Sequence, residues 1–191
     1  MKILGIKQDF GPMGNELPEV VLTTDSSLLT ARKPFFVPDF AGQFVARPCL
    51  VARIGRLGKN VARRFAPRYY DAFAPGMAVE AQCLRECFAG GRAGAIANAF
   101  DGAAIVGDFV APAGLGDSLT VEVCGDTVLE CPLADALAVT DAAIEYVSRY
   151  FMLKMGDMIF VSYIGPSRQL IPETVVHATF NGAELLHFKV K

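Results

Sequence analysis

Residues 119–131 read Leu-Thr-Val-Glu-Val-Cys-Gly-Asp-Thr-Val-Leu-Glu-Cys. From Leu119 to Cys124 apolar and polar side chains alternate, which places one set on each face of an extended strand. Gly125-Asp126 supplies a two-residue turn and Thr127 to Cys131 answers it, so the stretch is a β-hairpin. A second hairpin follows the same pattern over Thr174 to Phe180 and Ala183 to Val190, joined by Asn181-Gly182, the strongest short-range hairpin signal. Between the two hairpins, Leu137, Val139, Ala143, Ile144, Val147, Tyr150 and Phe151 recur at helical spacing, with Asp135, Asp141, Glu145 and Arg149 turned outward. Residues 136–151 are therefore expected to form an amphipathic helix. Leu153 to Asp157 then turns into a strand over Met158 to Tyr163.

Towards the N-terminus the chain is cut into short pieces by Gly11-Pro12, Gly14-Asn15, Pro18, Pro34, Pro38 and Gly42. Glu19 to Thr24 and Pro34 to Val37 are β-branched or aromatic and too short for helices, and Val45 to Ile54 is a longer strand closed by Gly55 and Gly58. Asn60 to Tyr70 and Met77 to Phe88 are expected to be helical, the second carrying Cys83 and Cys87 four residues apart on one face. Ala89 to Gly94 reads as a Gly-rich surface loop. The expected fold class is mainly β with a few helices, in one domain spanning residues 1–191, since neither an internal repeat nor a linker divides the chain.

The 191 residues are long enough to bury roughly 70% of the surface an unfolded chain exposes. A hydrophobic content of 52% and a mean hydropathy of +0.35 lie on the apolar side for a globular protein and point to buried subunit surface, hence a homodimer. The net charge of −2 offers no global field for nucleic acid or an anionic membrane. The apolar run at Ile3 to Ile6 meets Lys7 at once, leaving no signal-peptide core, and no apolar stretch approaches the roughly 18 residues of a membrane span. Five cysteines at irregular spacing read as reduced thiols of a cytoplasmic chain.

The order of these elements resembles the fumarylacetoacetate hydrolase family. Leu50-Val51-Ala52-Arg53-Ile54-Gly55-Arg56-Leu57-Gly58-Lys59-Asn60-Val61 resembles the strand and turn that carry that family's metal-binding carboxylates. The segment from Ile144 to Ile159 is similar to its second signature, a helix and turn leading into the strand that bears a Thr-Gly-Thr-Pro loop, which here corresponds to Val161-Ser162-Tyr163-Ile164. Asp25-Ser26-Ser27-Leu28 resembles the family's early Ser-Ser-Leu segment and Ala99-Phe100-Asp101-Gly102 its Phe-Asp segment. The resemblance implies a rolled mixed β-sheet like the family's C-terminal domain, usually dimeric. It also implies a hard divalent cation held by a Glu-x-Glu pair and a later Asp, because such cations take converging carboxylate oxygens. Here the Glu-x-Glu positions fall on Arg47 and Cys49, and the Asp position on Ala78. The family's two lysines fall near Thr23 or Thr24 and near Asn98. The resemblance therefore implies a catalytically degenerate relative with no metal and no cofactor, binding a small organic anion through Arg47. The alternative is an active hydrolase, decarboxylase or isomerase on an oxo-acid, using other residues.

Other candidates carry less. His177 and His187 both fall in the last hairpin, where the sharp reading is a base or metal pair facing across the strands and the favoured reading is exposed or satisfied strand positions. Cys49, Cys83 and Cys87 lack the Cys-x-x-Cys spacing of zinc sites, and buried thiols commonly act as small hydrophobes. Arg47, Arg53, Arg56, Lys59, Arg63, Arg64 and Arg68 form a stretch without acidic residues, read as a solvated face rather than a nucleic-acid patch. Ser26, Ser27, Ser162 and Ser167 lack a nucleophile-elbow context, and Gly90 to Gly94 lacks the Lys-Ser/Thr that completes a phosphate loop.

Overall fold

Arg47 pairs with Ala78 across two long antiparallel strands, β4 (Phe44–Ile54) and β5 (Tyr70–Ala81), and these strands form the centre of the molecule. The structure is a computed structural model and describes residues 1–7, 18–87, 94–161 and 166–191. On one side of β4 lies β9 (Met158–Val161), followed by β1 (Lys2–Ile6) and β2 (Val20–Thr24). On the far side of β5 come β6 (Ala104–Val106) and β3 (Leu28–Thr30). The two-residue β10 (Arg168–Gln169) pairs with the start of β4. The sheet is mixed, for β1 runs parallel to β9 and β3 parallel to β6, while its other pairs are antiparallel.

A second sheet holds both expected hairpins, in the order β12 (Ala183–Lys189), β11 (Val175–Phe180), β7 (Ser118–Val123) and β8 (Asp126–Pro132). Asn181 and Gly182 both have positive φ, 46° and 81°, as a type I′ turn demands. In the first hairpin the positive-φ residues are Cys124 and Gly125, one position earlier than the sequence suggests. Val176, Ala178, Phe180, Leu119, Val121, Leu186 and Phe188 of this sheet join one buried cluster with Leu4, Leu50, Phe73 and Ile105 of the large sheet. Helix α3 (Leu133–Tyr150) packs on β9 and β4 through Ala143, Ile144 and Val147. Its C-terminal carbonyls find partners at the turn after β4: Asn60 N–H donates to the Ser148 carbonyl and Lys59 Nζ to that of Arg149, both at 3.0 Å. Tyr150, counted among the apolar positions, is instead exposed.

Three expectations are corrected. Residues 60–70 contain only a 3-10 turn, Arg63–Arg68, because Pro67 removes a backbone donor from any longer helix. Met77 to Ala81 is strand, and helix α1 is confined to Gln82–Cys87. The run has helix-forming residues, but pairing with β4 on one side and β6 on the other satisfies its backbone and overrides that preference. Pro34 to Val37 makes only an isolated bridge, Phe35 to Val190. The remaining short helix, α2 (Ala95–Asn98), leads towards Phe100, whose ring stacks edge-on against Phe40 and Phe44. The Gly-rich stretch from Ala89, the Ser162 to Ile164 loop and the Gly11-Pro12 and Gly14-Asn15 breaks lie outside the described residues.

Candidate functional site

A narrow cleft with about 30 Å³ of water-accessible space opens on the face of the large sheet where β1, β4, β5 and β9 meet. Period two explains its lining. Ile3, Gly5 and Lys7 share one face of β1 and its continuation, and Ala78 and Glu80 share one face of β5. Arg47 enters from β4, Thr23 from β2, Asn98 from α2 and Phe160 from β9.

The polar groups form a chain. The Lys7 ammonium donates to the Glu80 carboxylate and to the Asn98 side-chain oxygen. Glu80 also faces the Arg85 guanidinium at 3.7 Å, and Arg85 forms a bidentate pair with Glu19. Burial pushes the Lys7 ammonium below its ordinary range, although Glu80 opposes that shift. On the other wall Thr23 and Ser27 hydroxyls lie 2.5 Å apart, and Ser27 donates to the Ala99 carbonyl at 2.9 Å. Arg47 is half-buried and, among the described residues, its guanidinium has no ion pair and no hydrogen-bond acceptor. The charged lining residues among those described are two cations, Lys7 and Arg47, and one carboxylate, Glu80.

The positions singled out in the sequence separate. Arg47 and Ala78 are partners in the β4–β5 register and both line the cleft. Cys49, two residues along β4 on the same face, is fully buried beneath it, packed with Ile3, Ala104 and Phe160 of the cleft floor. Its thiol donates to the Arg47 carbonyl at 3.3 Å, and burial pushes it up to about 12. Cys49 is thus a small core residue, not a ready thiolate. These residues do not fit a hard divalent cation. Ala78 brings no donor atom, Arg47 brings positive charge, and the carboxylate of Glu80 is already engaged by Lys7 and Arg85.

Lys7 and Glu80 are the residues sequence reading missed. The available signal was alternation: Lys7 continues the face of Ile3 and Gly5, and Glu80 follows Ala78 by two. The arginine stretch, by contrast, disperses. Arg53 pairs with Asp71 at 2.7 Å, Arg63 donates to the Ala138 carbonyl at 2.8 Å, and Arg64 and Arg68 lie over the Phe65 ring. His177 and His187 do face one another across β11 and β12, with ring centroids 4.3 Å apart.

Residues 7–182 match the fumarylacetoacetate (FAA) hydrolase C-terminal family. No curated protein matches the chain in sequence. Several solved structures share its fold. Fumarylpyruvate hydrolase from Pseudomonas aeruginosa, in complex with Mn²⁺ and pyruvate, superposes with a TM-score of 0.86 at 18% identity, over 100% of this chain and 89% of that one. The 2-hydroxyhepta-2,4-diene-1,7-dioate isomerase from Mycobacterium marinum gives 0.85 at 20% identity, covering 99% of this chain and 73% of that one. The 5-carboxymethyl-2-hydroxymuconate delta-isomerase from Mycobacterium smegmatis gives 0.82 at 21%, over 99% and 78%. With the mixed sheet, the collinear segments and the match over 7–182 in agreement, the chain belongs to the fumarylacetoacetate hydrolase family.

Proposed function

We propose that this protein keeps the family's cleft without its divalent-metal chemistry and binds a small organic carboxylate there, with Arg47 as the direct anion ligand. The observation that carries this reading is the half-buried guanidinium of Arg47, which faces the cleft without a counter-ion among the described residues. Partial burial of an unpaired cation is costly, and an incoming carboxylate would offset that cost through a bidentate pair. The positions corresponding to the family's carboxylates hold Arg47, Cys49 and Ala78, which reverse or remove the charge that gathers a cation. Asn98 and Thr23 supply further polar edges to the lining. Pyruvate, held with Mn²⁺ by the related hydrolase, is the appropriate probe. Calorimetric titration should show pyruvate binding without added metal, weakened about tenfold or more, ~1.4 kcal/mol, in Arg47→Gln. Equal affinity in the two proteins would refute the role of Arg47.

A second reading is favoured by the partly buried Lys7–Glu80 pair, whose lowered lysine is the sort of group that moves a proton in catalysis. On that reading the protein is a hydrolase, decarboxylase or isomerase of oxo-acids, with Lys7 and Glu80 as its acid and base. Turnover of acylpyruvates or oxaloacetate that persists in EDTA and disappears in Lys7→Met would establish it over the first reading. A cytoplasmic homodimer completes the proposal. It is supported by exposed apolar side chains such as Phe36, Met155 and Leu57, and light scattering showing only monomer would count against the dimer.

A further inference from the structure

Away from the cleft, on the outer face of the second sheet, three side chains converge. His177 on β11 and His187 on β12 are directly paired in the register. Glu184 lies three residues before His187, a spacing that ordinarily puts two residues on opposite faces of a strand. A β-bulge between the pairs Ala178–Leu186 and Thr179–Glu184 inserts Leu185 as an extra residue and turns Glu184 onto the histidine face. His177 Nδ1 then lies 2.7 Å from Glu184 Oε2, and His187 Nδ1 lies 3.6 Å from Oε1. One ligand atom from each residue falls within 4.8 Å of the other two.

We infer that His177, Glu184 and His187 form a surface binding site for a borderline divalent transition-metal ion, with Zn²⁺ the best match. Two imidazoles and one carboxylate are a donor set that zinc accepts, leaving further coordination positions to water. Bound to one zinc, such atoms sit ~3.3 Å apart, as follows from bonds of about 2.0–2.1 Å in tetrahedral geometry. The wider separations must therefore contract and the 2.7 Å contact between His177 and Glu184 must open, and the side chains have room to do so, being 32%, 48% and 46% exposed for His177, Glu184 and His187. The backbone beneath them is fixed, because Val176, Ala178, Leu186 and Phe188 on the opposite face are core residues. Glu122 pairs with His177 from β7 and adds negative charge to the same face. Opposing it is Arg32, whose backbone N–H donates to the His187 carbonyl and whose guanidinium bonds Asp108 at 3.2 Å. Metal binding here would tie β11 to β12 across the bulge, without involving the cleft.

The test uses the full, untagged chain with its thiols alkylated, titrated with Zn²⁺ near neutral pH by calorimetry and followed in parallel by thermal unfolding. The expected result is one saturable Zn²⁺ per chain with a rise in Tm. Both effects should be lost in His177→Ala and His187→Ala, and affinity should fall about tenfold in Glu184→Gln. Glu184 and His187 are exposed and His177 is half-buried on the outer face, so the variants should retain the parent's circular dichroism spectrum, and His187→Gln provides a milder second variant. As a second readout, Co²⁺ should give d–d absorption bands that vanish in the histidine variants. Absence of saturable binding, or binding that survives both histidine substitutions, would overturn the inference.

Discussion

At Gly76, an added Cβ would lie 2.6 Å from Val51 Cγ2 and 2.8 Å from the Ile105 carbonyl oxygen, inside the pairing of β5 with β4 and β6. A backbone oxygen in a paired strand cannot retreat cheaply. Gly76→Ala should therefore destabilise the fold by roughly 1–3 kcal/mol, the usual cost of overpacking, measured as a shift in urea midpoint with unchanged slope. Asp157 makes a pH-dependent contribution. Burial alone would raise its carboxyl, but the Lys2 ammonium and the Lys2 and Lys154 amides outweigh burial and hold it below the carboxylate range. Its stabilisation is fully present above the unfolded value of about 4 and is lost as pH falls through the lower folded value. Asp157→Asn should cost roughly 2 kcal/mol at neutral pH, and the gap from the parent should close in acid. At this scale the collinear family pattern points to Arg47 and Ala78, and the register pairs them on the cleft wall. Lys7 and Glu80 were not, because their significance lies in meeting each other across a sheet whose strand order the sequence does not state.

Elements with a strong local period were read well, and the others were decided by their neighbours. Both hairpins and α3 announce themselves by alternation or helical spacing, and β4 by its apolar length. The second half of β5 does not, since Met77-Ala78-Val79-Glu80-Ala81 suits a helix until β4 and β6 provide partners for its backbone. The last hairpin is also tied to β7 by a side chain. Asn181 Oδ1 accepts from the Asp117 and Ser118 N–H groups at 2.9 and 3.1 Å, while its own backbone holds a positive φ of 46°. Asn181→Ala leaves those donors without their acceptor and places alanine in a left-handed conformation. It should cost about 1–3 kcal/mol by chemical denaturation. Asn181→Asp, which keeps an acceptor oxygen and tolerates positive φ, should recover most of that loss.

Over the whole molecule, the sheet that defines the family has been kept while the charge of its cleft differs from that of a cation site. Lys7 and Arg47 outnumber Glu80 in the described lining, and Ala78 offers no oxygen where the resemblance expects a carboxylate. On the proposed reading, Lys7 and Arg47 in one cleft, with its described carboxylate already shared, repel Mg²⁺ and favour a small anion, an effect strengthened by the low polarity of a floor made of Ile3, Ala104 and Phe160. The most direct test is a paired calorimetric titration of the untagged protein with pyruvate and with Mg²⁺, repeated in Arg47→Gln. Because the surface histidine triad suits zinc rather than magnesium, the Mg²⁺ arm reports on the cleft. An anion-binding cleft predicts metal-independent pyruvate binding that the substitution weakens about tenfold or more, and no saturable Mg²⁺ binding in the millimolar range. Saturable Mg²⁺ binding to the parent protein, with pyruvate binding only once the metal is present, would contradict it.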